Sequence, residues 1–413
     1  MNTLTTKPST LPFPDHARVV VRSVRGAFSE LLTSLGADPQ DPQQLSRRFG
    51  LNKNLAWKIS KIIQSDDPSL ALQQMPGSAG IKIFLRSIER AGANPNLLQT
   101  TRNAIDEYER LIEVHSGDRI TLEMMGSELS SAGRQQRDEY YRKLLFQGAS
   151  YVWGVQARVM VKVGIVGPGS EPGLLDFASL SALVDFRRFR QDVSWIMAVR
   201  RARNDDGTNI PIPQPEAIDP RYSGFDHAPL MADFCSQPLP ELRRFVDAVG
   251  TNFELVEGPV GNTGAATCVV GTIQRGLPYY RTPSNAIGEH MAICDTPAEL
   301  LLFDLFFHRS FTFAIPPDPS LYSELGATQP YPRRGRERNR LPLNEPLQDL
   351  GAGPLPIPTP EVPRYSRMIQ AMFDRMNWSP AEFHGFRIKL AYPACPTAVV
   401  LRYDLPEPPQ TGP

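Results

Sequence analysis

Between Gln43 and Gln64 the chain carries five cations, Arg47, Arg48, Lys53, Lys58 and Lys61, and no acid. Guanidinium and ammonium groups at that density can neutralise phosphates. Asn54 lies among them with an amide that both donates and accepts, the pattern needed to read a base edge. Trp57 adds a ring to the same stretch. A second constellation runs from Gly288 to Arg309 and holds Glu289, His290, Cys294, Asp295, Glu299, Asp304 and His308. Asp304 and His308 stand one helical turn apart, so both could face one ligand. None of the known metal spacings is present, and the alternative is a buried helix whose polar residues cap or pair. No catalytic residue, metal ligand or cofactor is assigned.

The cations need elements to hold them. Asp41 is a plausible N-cap, since its carboxylate can accept the free N–H groups of a first helical turn. Pro42 then sits at N1 and Gln44 can reach back from N3. That helix runs to Phe49, and Gly50 ends it with a backbone that needs φ > 0. Asn52 caps a second helix, Lys53 to Gln64, with Leu55, Ile59, Ile62 and Ile63 at helical spacing. Lys53, Asn54, Trp57, Lys58 and Lys61 project away from that apolar stripe.

The spacing over residues 41–64 resembles the helix-turn-helix of bacterial transcription regulators. Small Ser46 lies four before Gly50, Leu51 follows the glycine, and Ala56 and Ile59 stand six and nine after it. The pattern departs from the family in having Ser rather than Ala at position 46. The resemblance implies two helices crossing steeply, with Lys53 to Lys61 entering a major groove of double-stranded DNA and Arg47 and Arg48 on phosphates. It also implies a homo-oligomer, expected as a dimer, because two-fold symmetry lets two such helices meet successive grooves. A solvated basic face that binds no nucleic acid is the alternative.

The whole chain of 413 residues has 44 Lys+Arg and 44 Asp+Glu, so no global field attracts polyanions. The charge is local: residues 16–64 carry eight cations against three acids, and residues 65–130 six against ten. Length allows two or three domains. Cys235, Cys268, Cys294 and Cys395 form no CxxC pair, which suits buried thiols in a reducing compartment. There is no apolar run of transmembrane length and no apolar core of signal-peptide type near the start, so a cytoplasmic protein without membrane partners is expected.

Residues 1–15 read as a flexible arm, and residues 16–149 as an all-α domain containing the helix-turn-helix. His16 to Leu35, Ser78 to Ala91, Asn96 to Val114 and 119–149 are its other helices, the last broken near Ser130 to Gly133. Residues 150–413 read as an α+β domain with a mainly antiparallel sheet. Its first strand, Val155 to Ile165, alternates strictly. Val193 to Val199, Phe253 to Glu257, Thr267 to Gln274, Phe386 to Tyr392 and Ala398 to Tyr403 follow. Helices are expected at Pro240 to Val249, Pro297 to Arg309 and Arg364 to Trp378. Capping boxes at Thr296–Glu299 and Ser379–Glu382 each signal a helix start.

Asn209 to Pro220 reads as an exposed loop. Residues 316–363 read as a Pro-rich insertion that contains the basic run Arg333 to Arg340, either an arm for nucleic acid or a solvated linker. Gly164 to Gly173 lacks the order of a phosphate cradle and reads as a turn. A reactive Cys268 would need a nearby base. Arg187, Arg188 and Arg190 with Phe186 and Phe189 could bind an acidic partner or stack a base, and read rather as a loop packed on the sheet.

The functional expectation is a DNA-binding transcriptional regulator whose C-terminal domain senses a small-molecule effector or oligomerises. Two other classes stay open. One is a non-enzymatic scaffold that uses the helical bundle for protein contacts. The other is an enzyme with an unassigned site in the α+β half.

Overall fold

A computed structural model describes residues 11–129, 134–199, 216–224, 227–247, 250–283, 285–325 and 337–409. The chain divides into two compact units, Met1–Arg134 and Gln135–Pro413. Helices come first and mostly antiparallel sheets follow.

The first unit is helical throughout its described residues. Its elements are α1 (Phe13–Ser34), α2 (Pro42–Phe49), α3 (Lys53–Gln64), α4 (Pro68–Gln74), α5 (Ser78–Arg90), α6 (Pro95–His115) and α7 (Arg119–Ser127). α1 begins at Phe13, so the expected arm is shorter than 1–15, and residues 1–10 lie outside the described ones. Its stripe of Val20, Val21, Val24, Phe28, Leu31 and Leu32 is fully buried and packs with Leu98, Ile105, Tyr108 and Leu111 of α6. The rings of Phe28 and Phe84 meet at 5.1 Å and tie α5 to the same core. α4 was not anticipated: Asp67 caps it and Pro68 opens it, but seven residues give too short a period to read.

α8 (Arg134–Trp153) is the last helix before the strands. Apart from its first residue it belongs to the second unit, which moves the boundary from the expected 149/150 to 134/135. The reason is packing: Arg142 donates to the Ala391 carbonyl and pairs with Glu345, and Phe146 lies 5.5 Å from the Tyr392 ring. The expected break at 130–133 lies outside the described residues.

The second unit holds β1 (Val155–Pro168), β2 (Leu174–Arg188), β3 (Trp195–Val199), β4 (Glu216–Ala217), β5 (Leu242–Asp247), β6 (Gly250–Leu255) and β7 (Ala266–Pro278). It continues with β8 (Ile287–Cys294), β9 (Ala298–His308), β10 (Asp318–Ser323), β11 (Arg340–Leu341) and β12 (Gln348–Ala352). It closes with α9 (Tyr365–Met376), β13 (Phe383–Ala391) and β14 (Thr397–Asp404). Seven strands form one sheet in the order β12-β13-β9-β1-β2-β7-β4. Among the described residues of that sheet only β1 and β9 pair in parallel. The orders β11-β10-β14-β8 and β3-β6-β5 make two smaller antiparallel sheets.

Alternation along β9 sends Asp304 and Phe306 to one face and Phe307 to the other. α9 covers the first face, with Phe373 at 6.1 Å from Phe306 and 5.0 Å from Phe383. The other face meets the four-stranded sheet through Phe307, His290 and Tyr403.

Several expectations are overturned here. Pro297 to Arg309 is strand β9 and not a helix. Its apolar run from Leu300 to Phe307 suits a strand paired on both edges, by β1 and β13, as well as it suits a buried helix. Thr296 caps nothing; its hydroxyl accepts from the Trp195 indole N–H at 2.8 Å. The second capping box yields only a short 3-10 turn, Pro380–Glu382, before β13. Within Pro240 to Val249 the described residues 242–247 are β5, paired with β6. Strands β10, β11 and β12 all fall within 316–363, so that stretch is far more than a linker. Of the basic run, 333–336 lie outside the described residues, as do 209–215 of the other proline-rich loop.

Candidate nucleic-acid interface

The α2–α3 segment is built as its residue types require. The Asp41 carboxylate accepts from the Gln43 and Gln44 amides at 2.9 and 3.0 Å. Gly50 takes φ 64°, and Asn52 accepts from the Asn54 amide at 2.8 Å. Gln44 differs from expectation: its side-chain oxygen reaches past the cap to the Asp38 amide at 2.6 Å. Leu45, Phe49, Leu51, Leu55, Ala56, Ile59 and Ile62 are buried in the first unit's core. Ser46 is accounted for as well. Its hydroxyl donates to the Leu51 carbonyl at 2.7 Å, a bond that Ala could not make and that closes the turn between the helices.

Three side chains make contacts unseen in the sequence that tie this pair to α1 and to the connection after it. Arg48 donates from Nη1 to the Gly36 carbonyl at 2.7 Å and from Nη2 to the Leu35 carbonyl. Gln64 donates to the Gln40 carbonyl at 2.9 Å. Arg25 donates to the Ile63 carbonyl at 3.2 Å and pairs with Asp66. Carbonyls at a helix end have no intrahelical partner, so Arg48 serves as a C-terminal cap for α1. Its guanidinium, expected on a phosphate, is exposed and holds these two backbone carbonyls.

The remaining candidates share one outward face. Lys53, Asn54, Trp57 and Lys61 are exposed and Lys58 is half-buried, opposite the buried stripe of α3. Trp57 is 43% exposed, unusually open for an indole, and the Lys61 ammonium lies 5.9 Å from its ring centre. Lys61 also lies 3.4 Å from the Gln64 side-chain oxygen. Arg47 is exposed at the end of α2. Among the described residues none of Arg47, Lys53, Lys58 and Lys61 forms an ion pair, so their charge is available to an external anion.

The residues singled out between Gly288 and Arg309 do not converge. On a strand, Asp304 and His308 share a face but stand about 13 Å apart. Asp304 is fully buried and receives both arms of Arg387, at 2.8 and 2.7 Å, together with the Tyr365 hydroxyl. Arg387 also donates to Thr359 at 3.0 Å. Burial pushes the Asp304 carboxyl above its ordinary value, against the pull of Arg387. This network fastens α9 to the sheet and offers no open face to a substrate. His308 bonds the Ser310 hydroxyl at 2.8 Å. Burial pushes the Cys294 thiol up to about 12, the wrong direction for a nucleophile. Cys268 is raised as well, by its contact with Cys235 and by burial. No group of three or more His, Cys, Asp or Glu able to hold a metal occurs among the described residues. Phe186, Arg187 and Arg188 belong to strand β2 and not to a loop, and buried Arg188 donates to the Val193 and Val256 carbonyls.

His290 sits among Phe177, Phe307 and Tyr403, with its Nε2 3.0 Å from the Tyr403 hydroxyl. Burial lowers its pKa from 6.5 to about 4. The folded state therefore holds fewer protons than the unfolded one between these values, and stability falls as pH drops from 6.5 towards 4. The expected loss is about 3 kcal/mol. Urea midpoints at several pH values should show that His290→Gln flattens this part of the profile. Parallel profiles for the two proteins would exclude a contribution from His290.

Among the described residues no helix is long and apolar enough to cross a membrane. No family model matches the chain, and neither a curated protein nor a solved structure matches it.

Proposed function

We propose that residues 41–64 form a helix-turn-helix and that the protein is a cytoplasmic DNA-binding transcriptional regulator. The sheet-rich unit is its sensing or oligomerisation part. One observation carries this reading: the outward face of α3 is cationic, contains Asn54 and an exposed Trp57, and has no acid to neutralise it. Lys53, Lys58 and Lys61 with Arg47 supply the phosphate contacts, and Asn54, near the N-terminus of α3, faces a base edge. Arg48 holds α1 and α2 together and positions this face without touching DNA.

Fluorescence anisotropy with random-sequence duplex DNA at several salt concentrations tests it. Four unpaired cations per bound unit should give a log–log slope of about −3 to −4, close to 0.9 for each phosphate neutralised. Absence of salt-dependent binding would sink the DNA reading and favour a protein-contact role for the same face.

A further inference from the structure

Two of the four cysteines lie side by side in the sheet-rich unit, both as free thiols. Cys268 belongs to β7 and is fully buried. The segment from Pro229 to Ser236 runs antiparallel along the edge of β7 that β4 occupies further on. Met231 donates its amide to the Val269 carbonyl and Ser236 to the Thr267 carbonyl, each at 2.9 Å. Between these two bonds the segment bulges through a 3-10 turn, Ala232–Phe234, and returns with Cys235 beside Cys268. Opposed residues on antiparallel strands have Cα atoms about 4.5–5.5 Å apart, inside the range a disulfide spans. The two thiols are within hydrogen-bond reach of each other.

The two thiols are not equivalent. The Val269 amide donates to the Cys235 sulfur at 3.3 Å. When that sulfur is protonated, the Met231 and Val269 carbonyls can accept from it at 3.5 and 3.6 Å. Arg364 brings a cation to the same turn: its guanidinium lies 5.6 Å from the centre of the Phe234 ring and donates to the Asp233 carbonyl. The Cys268 thiol, the Val269 amide and the Arg364 charge hold Cys235 below its ordinary value, against burial and the Asp219 charge. Contact with Cys235 and burial push Cys268 the other way. Negative charge therefore gathers on Cys235, while Cys268 keeps its proton. Cys235 is also the one with some surface, 6% against 0%, so a small solute meets it first. Two thiols buried only as small apolar side chains need neither the amide donor nor the cation.

We propose that Cys235 and Cys268 form a redox-active dithiol that hydrogen peroxide converts to a disulfide. The Cys235 thiolate attacks one peroxide oxygen, the O–O bond breaks, Cys235 becomes a sulfenic acid and hydroxide leaves. The Cys268 sulfur then attacks the Cys235 sulfur, the S–O bond breaks, and the hydroxyl leaves with the Cys268 proton as water. The first hydroxide takes up the proton that Cys235 had lost. In sum, two thiols and one peroxide give one disulfide and two waters. Return to the dithiol takes two electrons from a reducing dithiol, so in a reducing compartment the bond is transient. The pair lies outside the proposed DNA-binding segment and is assayed without DNA. Cys395 supplies an internal control: it has more surface than either, and burial with the Asp295 charge pushes it up to about 12.

The test treats the reduced full chain with one equivalent of hydrogen peroxide at about pH 7.5, caps the remaining thiols with iodoacetamide in urea, and digests without reductant. Mass spectrometry is expected to find the peptides holding Cys235 and Cys268 joined and two hydrogens lighter than their sum, with Cys395 capped. Dithiothreitol should separate them. Cys268→Ser should stop Cys235 at a sulfenic acid that dimedone traps, and Cys235→Ser should slow oxidation of Cys268 by about tenfold or more. The wild-type cross-link is read without any variant, so it stands as a test even where a Ser variant folds poorly. Capped Cys235 and Cys268 after peroxide, oxidation of Cys395 first, or a cross-link that forms only in the urea-unfolded chain overturns the proposal.

Discussion

Exchanging Lys58 and Lys61 together for Glu is expected to lower affinity for duplex DNA by roughly 100-fold near physiological salt. It should also flatten the salt dependence by about two units of log–log slope, one for each phosphate contact removed. Part of the loss is the counterion release that no longer occurs, and the rest is repulsion between new carboxylates and the phosphate backbone. The fold should not suffer. Lys61 points outward, Lys58 is only half-buried, and neither is ion-paired among the described residues. Arg48→Ala provides the contrast. It strips the cap from the Leu35 and Gly36 carbonyls, so it should destabilise the first unit by about 1–2 kcal/mol while leaving the salt slope unchanged. If the double Glu variant binds DNA as the wild type does, α3 does not enter a groove. If Arg48→Ala alone flattens the slope, its role has been misassigned.

The second large effect lies at Arg387. Arg387→Met leaves the Asp304 carboxylate fully buried without its bidentate partner, and the sheet-rich unit should lose about 3–5 kcal/mol near pH 7. The pH dependence identifies the cause. In the variant the folded-state pKa of Asp304 lies still further above its unfolded value. The destabilisation is therefore small where the carboxyl is protonated in both states, and it grows as pH rises through the folded-state pKa. Asp304→Leu combined with Arg387→Met removes both charges and should recover most of the loss. Urea unfolding of the single and double variants at about pH 4.5 and 7.5 separates these outcomes. Equal destabilisation by both would mean that packing, and not the orphaned charge, sets the cost.

The two halves of the chain were unequally legible. In the first, local chemistry decides local structure. A carboxylate before a proline, a glycine that must adopt φ 64°, and an asparagine before an apolar period each act within a few residues, and α2, its turn and α3 fall where those signals put them. In the second, β1 was clear because polar Gln156, Arg158 and Lys162, all half-buried, alternate with buried apolar residues. β2, 15 residues long, alternates in burial, but its half-buried positions from Phe177 to Ser181 are aromatic or small and not charged, which blurs the pattern in sequence. β9 misled for the same reason: an apolar run with a capping box before it is locally a helix, and only pairing with β1 and β13 makes it a strand. β5 was mistaken in the same direction.

The candidate interface divides the same way. That Arg47, Lys53, Asn54, Trp57 and Lys61 are exposed and Lys58 half-buried follows from the 3.6-residue period and needs no knowledge of the rest of the chain. That Arg48, exposed as well, is bonded to backbone carbonyls depends on the end of α1 arriving beside it, a contact twelve and thirteen residues away in sequence. Burial of Asp304 against a residue 83 positions later, and the approach of Cys235 to Cys268, are likewise beyond local signals. Sequence by itself determined the helices whose capping and periodicity are complete within one or two turns, together with the sign and placement of the charge. Tertiary structure alone decided which of those charges are already used, and whether an apolar run became a helix or a strand. Those outcomes depend on partners that come together only when distant segments pack, and no local energy distinguishes them beforehand.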